Sequence, residues 1–124
     1  SSDLTPFCFG DNPKALGDYA WYLGNMGADH AARQVGRKFG NAWGLHDMHG
    51  NVWEWCRDRH ADKLPGGRDP LVTQSLEMEV RINRGGSWFN APGSCQSGLR
   101  SRNQVSVRNE FLGFRVALCE APDE

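Results

Sequence analysis

Hydrophobic and polar positions in this chain keep no single period for long. The clearest pattern is Val52-Trp53-Glu54-Trp55-Cys56, which alternates; on a strand, Val52, Glu54 and Cys56 face one way and both tryptophans the other. Arg81-Ile82-Asn83-Arg84 predicts a second strand, stopped by Gly85-Gly86, and residues 112–118 predict a closing one. Residues 43–48 read as a short strand entering a turn at His49-Gly50-Asn51. Upstream, Asp11-Asn12-Pro13 before Lys14-Ala15-Leu16 spells a cap, a proline at the first helical position and a short helix that Gly17 weakens. Residues 19–23 are aromatic and expected to pack inward, whereas 24–36 are small and polar, as in a loop. Residues 57–78 are charged around Pro65-Gly66-Gly67 and predict an exposed excursion. Residues 87–110 follow neither the helical nor the strand period, although they include Trp88, Phe89 and Val107. Short strands, little helix and much irregular loop describe an α+β domain.

Composition agrees with that picture and narrows it. The 15 glycines leave little room for long regular helix, and five tryptophans supply aromatic packing. Eleven of the 14 basic residues are arginine, six of them between Arg81 and Arg115 where no lysine occurs. The planar guanidinium suits pairing with carboxylates and carbonyls, so structural clamping is expected for Arg115, with Arg100, Arg102 and Arg108 open to a structural or ligand-lining role. A net charge of -1 gives no global support to a nucleic-acid partner. Mean hydropathy is -0.62, and no apolar run approaches the ~20 residues of a membrane span. Residues 1–124 are short enough for one domain. Cys8, Cys56, Cys95 and Cys119 form no C-x-x-C pair, which argues against zinc-ribbon or thioredoxin-like chemistry and leaves pairing and redox compartment open.

Three ordered segments carry a family resemblance. Asn41-Ala42-Trp43-Gly44-Leu45-His46-Asp47-Met48-His49-Gly50-Asn51-Val52-Trp53-Glu54-Trp55, then Arg84-Gly85-Gly86-Ser87-Trp88, then Leu112-Gly113-Phe114-Arg115 resemble the signatures of the formylglycine-generating-enzyme family. Phe9-Gly10-Asp11 is similar to a weaker motif upstream. These sulfatase-modifying factors have a C-type-lectin-like fold, so the resemblance implies that fold across residues 1–124. The family domain is usually much longer, and its N-terminal motifs have no counterpart here. The chain therefore reads as a C-terminal fragment or a shortened version, for which a second chain or copy would supply the missing half.

The resemblance also implies chemistry. Asp47, Gly50, Val52 and Glu54 are similar to a structural calcium site of the family, with side-chain oxygens from Asp47 and Glu54 and main-chain carbonyls from Gly50 and Val52. Calcium takes several hard oxygens at about 2.3–2.6 Å, which a turn between two carboxylates can offer. The plainer alternative is that Asp47 and Glu54 cap the turn or pair with Arg57 or Arg84. A second calcium site near Asn25, Met26 and Asp29 is disfavoured by the shortness of that loop. Active relatives bind copper(I) through two nearby cysteines after R-G-G-S, a soft pair suited to that ion. Counting from Ser87, the second position is Cys95 and the first is Asn90, so a two-thiolate copper site is not expected. Cys95 then reads as a small buried residue or half of a disulfide. His30, His46, His49 and His60 are expected to be structural or solvent-facing.

Three functions compete. The favoured one is a non-catalytic, calcium-stabilised domain that binds a protein or small ligand through loops 88–104, with Trp88, Phe89, Asn90, Gln96, Arg100, Arg102, Asn103 and Gln104 at the face. Lectin-fold proteins diversified by retroelements bind ligands through the corresponding region. The alternative is a copper-dependent oxidase converting a peptidyl cysteine of sulfatases to formylglycine, with Ser87 and Cys95 as catalytic residues. The third is a subunit that supports a partner. No nucleic-acid or membrane partner is expected.

Overall fold

A computed structural model describes residues 5–59, 67 and 80–118. The chain enters through a one-turn 3-10 helix at Pro13–Ala15, where the Asn12 side chain accepts from the Lys14 amide at 3.0 Å. It continues into α1 (Leu16–Tyr19), which ends before Gly24 and a second 3-10 turn at Leu23–Asn25. Cap, proline and helix thus stand where the sequence puts them.

Among the described residues four strands follow: β1 (Trp53–Arg59), β2 (Val80–Arg84), β3 (Arg100–Gln104) and β4 (Leu112–Gly113). They form one mixed sheet in the order β3-β2-β1-β4. β2 is antiparallel to both β1 and β3, whereas β4 runs parallel to β1. Register sets Glu54 opposite Arg84 and Trp55 opposite Asn83, and a bulge interrupts β1 between Trp55 and Arg59. Phe7, Leu16 and Ala20, upstream of the sheet, form a buried cluster with Cys95, which lies between β2 and β3, and Phe9 and Tyr22 pack on it. Burying side chains such as Phe7 and Leu16 contributes roughly 1.5–3 kcal/mol each.

Three expectations are corrected. Residues 43–48 form no strand: the Asn41 side chain accepts from both the Trp43 and Leu45 amides, and Asp47 has φ 57, so this backbone turns. Residues 88–104 are not loop throughout, because β3 occupies Arg100–Gln104. The closing strand is limited to Leu112–Gly113. In the aromatic stretch Ala20 is buried, but Leu23 is 46% exposed. Most of the charged excursion, including His60 and Pro65-Gly66, lies outside the described residues, as does Cys119.

Candidate functional site

The two longest motifs meet through their turns. Gly50 N–H donates to Gly85 O at 2.6 Å, Asn51 N–H to Trp21 O at 2.7 Å, and Trp88 N–H to Asn51 O at 2.8 Å. Close approach excludes side chains here. At Gly50 (φ 72) a Cβ would lie 2.2 Å from Trp21 O, and at Gly86 (φ 75) 2.7 Å from Cys95 Sγ. The Asn51 side chain is 96% buried and bonds both the amide and the carbonyl of Arg33, which ties residues 33–36 to the crossing.

Beside this crossing lies a cleft of about 500 Å³ lined by Asp47, Asn51, Val52, Glu54 and Arg115 together with the apolar Val35, Leu45, Phe114 and Val116. Asp47 is 6% exposed; its Oδ2 accepts from Gly36 N–H at 2.8 Å, while its buried Oδ1 has no hydrogen-bond partner. Glu54 meets neither Arg57 nor Arg84 but Arg115, which donates from Nε and Nη2 at 2.9 Å each and also reaches His46 O at 2.6 Å. That fork holds the Arg115 pKa above its ordinary value, mainly through the bond to Glu54. The donor set fits a hard cation in part. Asp47 Oδ1 is a buried oxygen lacking a partner, whereas both Glu54 oxygens are shared with Arg115. At the second calcium position three oxygens are engaged within the chain: Arg33 Nη2 donates to the main-chain Met26 O and Asp29 O at 2.8 and 3.0 Å, and Asn25 Oδ1 accepts from Tyr22 N–H.

The positions matched to the oxidase pair are arranged differently from a thiolate pair. Asn90 Oδ1 accepts from Ser87 N–H at 2.9 Å and from Ser87 Oγ–H at 2.6 Å. Its backbone is fixed as well, since Asn90 N–H donates to Ser87 O and Asn90 O accepts from Leu23 N–H, each at 3.0 Å. Cys95 ends the 3-10 turn Pro92–Cys95, is fully buried and carries a free thiol. Burial pushes that thiol up to about 11. Cys8 and Cys56 are also free thiols, raised in pKa chiefly by burial.

His49 was expected to be structural, and its geometry shows how. Its Nδ1 lies 2.7 Å from Cys95 O and its Nε2 accepts from Cys8 N–H at 3.1 Å, so the neutral Nδ1–H tautomer meets both partners. Burial lowers its pKa, opposed by the bond to Cys95. His46 Nδ1 lies 2.8 Å from Lys38 O, and His30 stands edge-on to Trp88. Sequence reasoning passed over the Ser87–Asn90 lock, although the Ser-x-x-Asn spacing is that of a side-chain-closed turn.

The expected ligand face divides. Trp88 is 4% exposed and donates from Nε1 to Glu110 O, whereas Phe89 is 56% exposed and packs with Trp88 and Phe111. Arg100 and Arg102 share one face of β3 with Ile82 of β2, beside a cleft of about 450 Å³. Asn103 lies on the opposite face, Gln104 ends the strand, and Gln96 follows the Cys95 turn.

Comparisons with known proteins agree with this architecture. Residues 10–119 match the family model of the sulfatase-modifying factor enzyme 1-like domain. Serine/threonine-protein kinase pkn1 of Chlamydia pneumoniae is 35% identical over 80 residues, covering 62% of this chain and 13% of that protein. Inactive C-alpha-formylglycine-generating enzyme 2 of Bos taurus is 32% identical over 82 residues, covering 62% of this chain and 23% of that one. The structure of Treponema denticola variable protein 1 superposes with a TM-score of 0.72 at 36% identity, over 84% of this chain and 37% of that chain. The chain thus spans well under half the length of each of these three proteins. With its R-G-G-S-W turn seated against the G-N-V-W-E-W turn, it belongs to the sulfatase-modifying factor enzyme 1-like family, that of the formylglycine-generating enzymes, and has their C-type-lectin-like fold.

Proposed function

We propose that this chain is a non-catalytic, calcium-stabilised member of its family that binds a protein or small-molecule ligand through residues 88–104. One observation carries the first part. Asn90 stands where the oxidase pair needs its first thiol and spends its side chain on Ser87, while the thiol of Cys95 is buried in the core. Burial also pushes that thiol up to about 11, which disfavours the thiolate at neutral pH. The likeness to a variable protein supports the same reading.

Asp47 and Glu54 would hold the calcium with their side chains, and Gly50 and Val52 with their carbonyls. The unpartnered Asp47 Oδ1 supports this assignment. The ion would supply charge compensation and a tie between the Asp47 turn and β1. Ligand contact falls to the exposed Phe89 and to the cleft beside β3.

Incubation with copper(I), oxygen and a C-x-P-x-R peptide, followed by mass spectrometry, is expected to leave the peptide cysteine unchanged. Appearance of the aldehyde would establish the oxidase alternative instead. Elemental analysis should find calcium, and chelator should lower the melting temperature; absence of both effects removes the calcium assignment.

A further inference from the structure

At the second calcium position a side chain of this chain faces the oxygens that an ion would take. Arg33 Nη2 donates to Met26 O at 2.8 Å and to Asp29 O at 3.0 Å, and Met26 is buried. The third oxygen, Asn25 Oδ1, is spent on the Tyr22 amide. Arg33 is also fixed from behind. Asn51 accepts from its amide at 2.9 Å and donates to its carbonyl at 3.1 Å, and its Cζ lies 5.5 Å from the centroid of the Trp21 ring. Its Nε–H is buried without an acceptor, so the two carbonyls and the Trp21 ring, rather than full hydrogen bonding, set where the guanidinium lies.

Charge decides between Arg33 and an ion. Calcium bound to Met26 O at about 2.3–2.6 Å would come within about 5 Å of Nη2, which sits 2.8 Å from the same oxygen. Two positive charges that close, beside a buried residue, repel strongly. The loop offers little to offset them: between Tyr19 and His46 the only acidic residue is Asp29, against Arg33, Arg37 and Lys38. The residues present therefore do not fit a calcium ion. They do fit a guanidinium, which brings charge and directed N–H donors to carbonyls at once. We propose that Arg33 takes the place of the ion at this position, so that residues 25–33 are ordered without metal. The same loop carries His30, edge-on to Trp88, so the order that Arg33 imposes extends to the aromatic packing of Trp88 and Phe89.

Relaxation NMR and calcium counting on the intact chain test this. In wild type, backbone order parameters of residues 26–32 should stay at about 0.8 or above, equally in chelator and in millimolar calcium. Arg33→Ala should drop them to about 0.6 or below in chelator. Millimolar calcium should then restore them, with one more ion bound per chain than in wild type. Arg33→Lys keeps a cation and should bind no additional ion. The count keeps this assignment apart from that of Asp47 and Glu54: none or one ion in wild type concerns those residues, whereas the extra ion in Arg33→Ala concerns this loop. Should Arg33→Ala fail to fold, wild type and Arg33→Lys decide. A second ion in wild type, an added one in Arg33→Lys, or wild-type order that rises with calcium would overturn the proposal. So would an Arg33→Ala loop that stays ordered in chelator or stays loose in calcium.

Discussion

Replacing Asn90 tests whether its side chain holds the turn at Ser87. Asn90→Ala removes the acceptor for Ser87 N–H and Ser87 Oγ–H. Ser87 is 1% exposed, so solvent does not readily replace that acceptor. A buried donor left unmade costs roughly 1–3 kcal/mol; the hydroxyl can rotate to another acceptor but the amide cannot, giving about 2–3 kcal/mol in all. For a domain of this size that is a loss of about 10 °C in Tm. Urea titration of wild type, Asn90→Ala, Ser87→Ala and the double variant closes a cycle whose coupling should be about 1–2 kcal/mol. Asn90→Cys should be similarly destabilised and should gain no copper-dependent oxidation of a cysteine peptide, because Cys95 stays in the core. Strict additivity of the two alanine substitutions would refute the lock. Aldehyde formation by Asn90→Cys would refute the claim that burial of Cys95 is the remaining block.

Three further outcomes are expected. Gly86→Ala should cost about 2–4 kcal/mol in urea midpoint, since its Cβ falls 2.7 Å from both Cys95 Sγ and Ser94 O at φ 75; Gly93→Ala, whose Cβ meets nothing within 4 Å, should cost under about 1 kcal/mol. Arg115→Ala should cost about 1 kcal/mol, because the ion pair is 34% and 21% exposed; the loss should shrink with added salt, and a salt-independent loss would assign it to packing. Burial lowers the His49 pKa, so the neutral ring stabilises the fold in full above about pH 6.5 and loses that contribution as pH falls below it, where the unfolded ring takes up a proton first. Urea midpoints of wild type and His49→Gln should therefore converge between pH 7.5 and 5, and a constant gap would contradict the neutral tautomer.

How legible each element was depends on what determines it. β1 and β2 were readable because alternation and the Gly85-Gly86 stop are local. β3 was not: Arg100-Ser101-Arg102-Asn103-Gln104 has no apolar residue, and five paired positions with β2 define it. Such a strand follows its neighbour rather than its own pattern. Residues 43–48 misled in the opposite sense, since Trp43 and Leu45 suggest alternation while Asn41 takes their amides for a turn. Within the site, Asp47 and Glu54 of the motif line one cleft. The partner of Glu54 was not foreseen, because Arg115 lies 61 residues away and only the fold joins them.

What the signature residues do in this structure explains why they identify the family without fixing its chemistry. Gly50 and Gly85 are where one turn lies on another, Asn51 ties Trp21, Arg33 and Trp88 together, and Arg115 joins β1 to the His46 carbonyl. A side chain at Gly50 or Gly85 meets backbone, and a change at Asn51 leaves buried polar groups unpaired, so folding alone constrains these positions. At Asn90 an amide closes a turn by bonding Ser87, and at Cys95 the thiol fills the core beside Gly86. Under the proposed non-catalytic reading, these two side chains serve the same packing as the signature residues around them.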